Sequence, residues 1–260
     1  MITIDFSGQN AVVTGGARGI GKAIAMMLAR GGANVWIGDI ISEAADTAKE
    51  IADTYGVRTG CTKTDVGNLD QVKKLFTDAA QLGKLDILVH GAGIILTGPS
   101  LNASEEEIRK ITEINLIGSF FVLSEGGKIM KANESGKIVS ISSIAGRVGI
   151  GVQGHYSATK AAMLNYAQAL AVELAPYNIR VNTICPGIIR TQMWDRILQE
   201  AEERGGITQQ EEWDSYMIQI PQGRPQSPEE IASAAIFFCS DLASAITGQA
   251  LNVDGGMRRF

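Results

Sequence analysis

The chain has 260 residues, of which 45% are hydrophobic and 20% are charged. This composition is typical of a folded globular protein and excludes a disordered or collagen-like chain. The net charge of −5 gives no basic surface for nucleic acid or for an anionic membrane, so we expect neither as a partner. Three widely spaced cysteines without a Cys-x-x-Cys pair indicate no disulfide framework and no zinc site. The sequence shows no signal-peptide pattern and no run of 18 apolar residues, which leads us to expect a cytoplasmic protein.

Short apolar runs alternate with longer amphipathic stretches along the chain. Strands are predicted at residues 10–14, 34–39, 57–62, 85–89, 137–141, 179–184 and 249–253. Helices are predicted at residues 19–30, 43–55, 69–81, from 104 toward 131, 155–174 and 229–239. A capping box of Ser104 with Glu107 opens the fourth helix, and Pro228 stands at the start of the last one.

This alternation predicts one parallel sheet that is covered by helices on both faces. Right-handed crossovers then give a single-domain, doubly wound α/β sheet, the Rossmann fold. Only residues 190–226 interrupt the pattern, because they are polar, charged and too long for an ordinary connection. Long excursions in compact domains are usually lids or binding loops, so we predict an irregular substrate lid there.

A glycine-rich loop, residues 14–21, lies between the first predicted strand and the first predicted helix. Glycines are needed where backbone passes close to a pyrophosphate, and the phosphates then lie at the helix N-terminus. A tight turn also uses glycine, but the strand before the loop and the helix after it favour a dinucleotide site. The predicted cofactor contacts in the loop are Gly15, Arg18, Gly19, Ile20 and Gly21.

Asp39 closes the second predicted strand. A carboxylate at this position accepts hydrogen bonds from an adenosine ribose and repels a 2′-phosphate, which predicts NAD rather than NADP. Arg18 favours NADP instead, because a guanidinium in the glycine loop can pair with a 2′-phosphate. No second basic residue follows Asp39, since Ile40 and Ile41 come next. An ordinary solvated aspartate is the alternative.

Tyr156 and Lys160 are four residues apart near the start of a predicted helix, so they share one of its faces. A free tyrosine has a pKa of about 10, and lowering it to about 7 needs roughly 4 kcal/mol of phenolate stabilisation. A lysine ammonium and a positive nicotinamide ring can supply this together. Thirteen residues before Tyr156, Ser143 follows a predicted strand, where its hydroxyl can hold a substrate oxygen. The neighbouring Ser140 and Ser142 compete for that role.

Further motifs occur in a fixed order along the chain. They are the 14–21 loop, Asp65-Val66, Asn115, Ser143, Tyr156-x-x-x-Lys160, Pro186-Gly187 and residues 253–256. From about residue 5 to the C-terminus, this order resembles the short-chain dehydrogenase/reductase family. The resemblance implies a single Rossmann domain that binds a nicotinamide cofactor and assembles as a homotetramer.

The resemblance also implies a role for each matching residue. Tyr156 is expected to be the general base in alcohol oxidation and the acid in carbonyl reduction, while Ser143 orients the substrate oxygen. Lys160 is expected to bind the nicotinamide ribose and to lower the phenol pKa. Asn115, in a kink of its helix, is expected to hold a water that links Lys160 to solvent. The other expected cofactor contacts are Asp65, Val66, Gly91, Ile188 and Thr191.

One motif departs from the family pattern. Where the family usually has Asn-Asn-Ala-Gly, this chain has His90-Gly-Ala-Gly93, in which Gly91 still offers backbone to the ribose. We expect His90 to be structural, while His155 beside Tyr156 either lines the substrate pocket or has no part in the site. Bacterial-type enoyl reductases separate the tyrosine and lysine by six positions rather than four, which argues against that subfamily.

The predicted lid favours a small polar substrate. Residues 190–224 hold four arginines and seven acidic residues, a net negative charge that disfavours acyl-carrier-protein and coenzyme A thioesters. The stretch 191–194 resembles the lid entry of polyol and acetoin/butanediol dehydrogenases. The predicted function is hydride transfer between NAD(H) and a polyol, sugar alcohol or vicinal diol. A 3-oxoacyl thioester reductase and a catalytically silent nucleotide-sensing protein are the alternatives.

Overall fold

Parallel strands form one seven-stranded sheet in the computed structural model, which describes residues 4–205 and 207–259. The strands are β1 (Asn10–Thr14), β2 (Asn34–Asp39), β3 (Thr59–Lys63), β4 (Ile87–His90), β5 (Gly136–Ile141), β6 (Ile179–Pro186) and β7 (Ala250–Val253). Their spatial order is β3-β2-β1-β4-β5-β6-β7. The predicted doubly wound, parallel α/β sheet is thereby confirmed.

Helices cover both faces of this sheet. Within the described ranges they are α1 (Gly19–Arg30), α2 (Ala44–Tyr55), α3 (Leu69–Ala79), α4 (Glu105–Ile111), α5 (Gly118–Ala132), α6 (Gly154–Leu174), α7 (Gln192–Glu203), α8 (Gln209–Met217) and α9 (Pro228–Cys239). The helices α1, α2 and α9 pack on one face, and α3, α5 and α6 pack on the other. Among the described residues, none of the helices combines the length and the hydrophobicity that a membrane span requires.

The central strand β1 is buried on both faces, which is why consecutive residues in it are apolar. Val13 packs in the core beneath α1 and α9, whereas Val12 packs in the core beneath α3 and α5. Burying one valine side chain stabilises the fold by about 1.5–3 kcal/mol. The two cores therefore hold β1 in the middle of the sheet, with its carboxyl end at the glycine loop.

The strand order reverses between β1 and β4, and this opens a crevice at their carboxyl ends. The loops that follow the two strands approach each other closely there. Gly91 donates its N–H to the carbonyl oxygen of Thr14 at 3.0 Å, and a Cβ on Gly15 would lie 2.7 Å from the backbone nitrogen of Ala92. Gly15 also has a φ of 69°, so both the space and the backbone conformation require glycine.

The helix predicted from Ser104 toward residue 131 is divided in the structure. Its capping box forms between Ser104 and Glu107, but a π-helical segment, Thr112–Ile117, separates α4 from α5. Such segments are inserted turns that often occur at functional sites. Asn115 lies in this segment, so the kink expected of the helix is found at Asn115.

The prediction that residues 190–226 are irregular is wrong, because α7 and α8 occupy much of this segment. The helix α8 begins with a capping box between Thr208 and Glu211, which supplies a local start signal within a polar sequence. Aromatic contacts join the two helices. The Trp194 ring centroid on α7 lies 6.1 Å from that of Trp213 and 4.9 Å from that of Tyr216, both on α8.

Candidate active site

Two adjoining cavities lie at the carboxyl edge of the sheet. One has a volume of about 140 Å³ and is lined by Ser143, Tyr156 and Lys160; we call it the Tyr156 cavity. The other, the glycine-loop cleft, has a volume of about 320 Å³ and reaches from Gly15 to Asp39. The residues that line both are Ile20, Gly91, Gly93, Ile94 and Thr191. The two cavities therefore form one continuous site.

The structure brings nearly all of the predicted site residues to these cavities. The glycine-loop cleft is lined by Gly15, Arg18, Gly19, Ile20, Gly21, Asp39, Asp65, Val66, Gly91 and Thr191. The Tyr156 cavity is lined by Ser143, Tyr156, Lys160 and Ile188. Asn115 is fully buried and lines neither of the two.

The glycine loop has the shape that close passage of a pyrophosphate requires. A Cβ on Gly21 would overlap the carbonyl oxygen of Gly15, so the first turn of α1 can approach the loop only without a side chain there. Gly19 has a φ of 56° and lines the cleft at the N-terminus of α1. The first N–H groups of a helix have no partner within it, and together with the helix dipole they attract phosphate. These residues fit a dinucleotide.

Asp39 lies at the carboxyl end of β2 and is held against the glycine loop. Its Oδ2 accepts the backbone N–H of Ala17 at 3.0 Å, and its Oδ1 accepts that of Ile41 at 3.3 Å. The Thr47 hydroxyl donates to the carbonyl oxygen of Ala17 at 2.8 Å, which ties the loop to α2. The backbone therefore orients the carboxylate within the cleft.

Tyr156 and Lys160 lie one turn apart on α6. The Lys160 Nζ is 5.7 Å from the centroid of the Tyr156 ring and donates to the carbonyl oxygen of Ile141 at 3.0 Å. Burial raises the pKa of Tyr156 to about 12, and the hydrogen bond with Ser143 lowers it only in part. Burial also lowers the pKa of Lys160 to about 8, so this side chain is mainly an ammonium at neutral pH.

The raised pKa of Tyr156 differs from the expectation that Lys160 brings this pKa down. The physical reason is that burial removes water from around the phenolate, and this penalty outweighs the favourable hydrogen bond with Ser143. A phenolate at neutral pH therefore needs further positive charge in the Tyr156 cavity.

The three neighbouring serines have different partners. The Ser140 Oγ lies 2.7 Å from the Thr183 Oγ1, and the Ser142 hydroxyl donates to the carbonyl oxygen of Lys160 at 2.9 Å. The Ser143 Oγ accepts the N–H of Ala145 at 3.0 Å, and the Ser143 side chain lines the cavity beside Tyr156. The hydroxyls of Ser140 and Ser142 are thus used in hydrogen bonds within the protein, and Ser143 is the serine that faces the phenol.

Asn115 connects the loop after β4 to α6. Its Oδ1 accepts the N–H of Ile94 at 2.8 Å, and its Nδ2 donates to the carbonyl oxygen of Ile94 at 2.8 Å and to the Thr159 hydroxyl at 3.3 Å. A Cβ on Gly93 would lie 3.2 Å from the Asn115 Oδ1 and 3.4 Å from the Lys160 Nζ. The absence of a side chain at Gly93 therefore lets the loop pass beside both groups.

Both histidines lie outside the lining of the Tyr156 cavity. His90 is fully buried at the end of β4, where its ring nitrogens contact the hydroxyls of Thr14 at 2.8 Å and Ser119 at 3.0 Å. His155 lines a separate cavity together with Glu107. The alternative that placed His155 in the substrate pocket is therefore wrong. The burial and the two hydroxyl contacts of His90 agree with the structural role predicted for it.

Sequence reasoning missed several residues of the Tyr156 cavity. They are Gly93, Ile94, Ile95, Ile144, Ile150, Gln153, Ile189, Ile197 and Met257. Met257 follows β7 and joins the cavity only through the tertiary fold. Gln153 precedes Tyr156 by three residues, a spacing that places neighbours on one helix face, so a signal for it was present.

Comparison with known proteins identifies the family. A family model described as enoyl-(acyl carrier protein) reductase matches residues 15–258. The 3-oxoacyl-(acyl-carrier-protein) reductase FabG of Aquifex aeolicus is 38% identical over 256 residues, which are 98% of this chain and 99% of that protein. The L-2,3-butanediol dehydrogenase of Corynebacterium glutamicum is 37% identical over 253 residues, which are 95% and 97% of the two chains. The chain belongs to the short-chain dehydrogenase/reductase family.

Solved structures of this family share the fold over nearly the whole chain. An NAD+-bound xylitol dehydrogenase superimposes with a TM-score of 0.92 at 28% identity, covering 96% of this chain and 99% of that one. An actinorhodin polyketide ketoreductase with NADPH also gives a TM-score of 0.92, at 31% identity and with 97% and 98% of the chains covered. The protein is thus an oxidoreductase with a fold that binds a nicotinamide dinucleotide, and its relatives differ in both cofactor and substrate.

Proposed function

We propose that the protein transfers a hydride between NAD(H) and a small polar secondary alcohol or ketone, such as a polyol, a sugar alcohol or a vicinal diol. The observation that carries this proposal is the convergence of Ser143, Tyr156 and Lys160 in one cavity that opens into the glycine-loop cleft. A catalytically silent nucleotide-sensing protein would have no need to keep this set of side chains together.

In the proposed reaction, four side chains have separate roles. Tyr156, as the phenolate, takes the proton of the alcohol hydroxyl during oxidation, and the resulting phenol hydroxyl returns this proton to the carbonyl oxygen during reduction. The Ser143 hydroxyl holds the same substrate oxygen, and Lys160 binds the nicotinamide ribose. Asn115 holds a water that passes protons between Lys160 and solvent. A bound nicotinamide supplies the hydride chemistry and, when oxidised, the positive charge that lowers the Tyr156 pKa.

The preference for NAD is proposed from the charges in the glycine-loop cleft. Asp39 is oriented there by the N–H of Ala17, and a carboxylate repels a 2′-phosphate. Asp65 adds a second acid, while Arg18 is the one basic side chain among the described residues that line this cleft.

The segment 190–226 is proposed to be a lid that excludes water from the Tyr156 cavity. Trp194 and Tyr216 support this role because they line the cavity from α7 and α8. The protein is further proposed to be cytoplasmic and to assemble as a homotetramer. Val172 on α6 supports assembly, because this apolar side chain is 79% exposed in the single chain. A monomer mass measured by light scattering would contradict the proposed tetramer.

A 3-oxoacyl thioester reductase is the second candidate function. The relative from Aquifex aeolicus that bears this name is 38% identical over 98% of the chain. The acidic residues of the 190–226 segment argue against it, because acyl-carrier protein and coenzyme A are themselves anionic.

The experiment is to follow NADH formation from NAD, and NADPH formation from NADP, with a panel of polyols, sugar alcohols and vicinal diols. The proposal predicts NAD-linked turnover of at least one of these groups. Turnover of an acetoacetyl thioester that exceeds turnover of the whole panel would favour the second candidate. NADH binding without turnover of any alcohol or ketone would favour the nucleotide-sensing alternative.

A further inference from the structure

Gln153 is a buried polar residue whose side chain has no partner among the residues that the structure describes. It is 6% exposed and lines the Tyr156 cavity. It occupies the N-cap position of α6, yet its side chain makes no capping hydrogen bond. Its backbone is satisfied, since its N–H donates to the carbonyl oxygen of Ile150 at 2.9 Å and its own carbonyl accepts the N–H of Ser157 at 2.8 Å. The carboxamide is therefore left to interact with a ligand.

The polar atoms of this carboxamide are not among the fully enclosed side-chain atoms without a partner, and the residue lines the Tyr156 cavity. Water can bond to this accessible amide when the cavity is empty, but a ligand that excludes the water must supply a polar partner or leave the amide unpaired. The carboxamide offers both N–H donors and a carbonyl acceptor. It can therefore bind either a hydroxyl or a carbonyl group.

The rest of the cavity surface is mostly apolar. Its lining includes Ile94, Ile95, Ile144, Ile150, Ile188, Ile189, Ile197, Trp194 and Met257. The Ser142 hydroxyl is bonded to the carbonyl oxygen of Lys160, and the Tyr216 hydroxyl interacts with Glu212. Among the described lining residues, Ser143 and Tyr156 meet the reacting oxygen, and Lys160 and Thr191 are predicted cofactor contacts. Gln153 is then the polar side chain that is left for a second substrate oxygen.

The position of Gln153 limits how far apart the two substrate oxygens lie. It precedes Tyr156 by three residues, so the two side chains come from neighbouring positions at the start of one helix. Both of them line the Tyr156 cavity. This geometry suits two oxygens on adjacent carbons of a short molecule whose ends are alkyl groups.

Resting on the proposed function, we infer that Gln153 is a specificity-determining residue that binds the second oxygen of a short α-hydroxy ketone, 1,2-diketone or vicinal diol. The apolar walls contact the alkyl ends of this substrate. A sugar alcohol, with a hydroxyl on every carbon, would place unpaired hydroxyls against isoleucines.

The test compares two ketones with the same carbon skeleton, 3-hydroxy-2-butanone and 2-butanone, as substrates for NADH-dependent reduction. The wild-type protein is expected to show a kcat/KM for 3-hydroxy-2-butanone at least about tenfold higher. In Gln153→Met, which keeps the length of the side chain without its hydrogen-bonding groups, the kcat/KM for 3-hydroxy-2-butanone is expected to fall at least about tenfold. The kcat/KM for 2-butanone is expected to stay within about twofold.

The matched control is Gln81→Met, the same chemical change at an exposed position after α3, which is expected to alter neither substrate. Thermal unfolding and NADH fluorescence titration report on folding and on the cofactor site of each variant. If Gln153→Met does not fold, equal use of the two ketones by the wild type still overturns the inference.

Equal use of the two ketones by the wild type would overturn the inference and leave the proposed function standing. So would an equal loss for both ketones in Gln153→Met, or a higher kcat/KM for xylitol than for 2,3-butanediol in the NAD-linked oxidation. If the wild type binds NADH but reduces neither ketone and oxidises neither alcohol, the proposed function fails and the inference fails with it.

Discussion

The Nε2 of His90 lies 3.0 Å from the Oγ of Ser119, which itself donates to the main-chain oxygen of Asn115 at 2.5 Å. Because the Ser119 proton is used in this way, His90 donates through Nε2, and its Nδ1 accepts the Thr14 hydroxyl at 2.8 Å. Burial, together with the charge of Lys160, lowers the pKa of His90 to about 3. A neutral imidazole therefore joins β1 to the π-helical segment that carries Asn115.

His90→Asn, which restores the residue usual in the family, is expected to remove part of the acid sensitivity of the fold. The pKa of His90 is lower in the folded state than its ordinary value near 6.5, so protons favour the unfolded chain. This contribution to stability is complete above about pH 6.5 and is lost as the pH falls toward 3. Between pH 7 and pH 5, the free energy of unfolding of the wild type should fall by about 2 kcal/mol more than that of the variant. Chemical denaturation at the two pH values measures this difference. An equal loss of unfolding free energy in the two proteins would show that His90 is not held as a buried neutral imidazole.

Asp39→Asn is expected to weaken the preference for NAD. An asparagine can still accept the N–H of Ala17, so the loop keeps its conformation while the charge that repels a 2′-phosphate is removed. The ratio of kcat/KM with NAD to kcat/KM with NADP should fall at least about tenfold. Asp46→Asn removes the same charge at an exposed position on α2 and should leave the ratio unchanged. An unchanged ratio in Asp39→Asn would show that Asp39 does not select the cofactor.

Gly21→Ala is expected to disturb both the fold and the cofactor site, because the added Cβ would overlap the carbonyl oxygen of Gly15. Overpacking of this kind costs about 1–3 kcal/mol of stability, and NADH binding should weaken because the glycine loop must move. Gly151→Ala is the control, since a Cβ at Gly151 would meet nothing within 4 Å. Calorimetry and fluorescence titration measure the two effects. Wild-type stability and NADH affinity in Gly21→Ala would refute the close approach of α1 to the loop.

The elements nearest the glycine loop were predictable because local and tertiary signals agree there. The strands β1 and β2 and the helix α1 have the predicted bounds. Away from the loop, the boundaries shift by a few residues. For example, β3 begins at Thr59 rather than at residue 57, because its pairing with β2 starts at Val35 and Thr59. The shift reflects a partner strand that no local window of sequence contains.

The predictions failed where long-range contacts decide the structure. The helices α7 and α8 have polar sequences. They are joined by the contact of Trp194 on α7 with Tyr216 on α8, which a local reading of the sequence does not contain. The kink at Asn115 was expected from the family resemblance alone, because hydrophobic periodicity does not detect a π-helical turn. Met257 reaches the Tyr156 cavity through the packing of a separate segment, whereas one helical turn brings Tyr156 and Lys160 together, and this spacing is visible in the sequence.

The most direct test of the central claim is the turnover of Tyr156→Phe, measured with the best alcohol substrate and NAD. The variant loses only the hydroxyl that is proposed to carry the proton, so turnover should fall by about 10²–10⁴-fold. Its NADH affinity, measured by fluorescence titration, should stay within about twofold, because Lys160 and the glycine loop are intact. Turnover close to that of the wild type would show that another group moves the proton and would contradict the account.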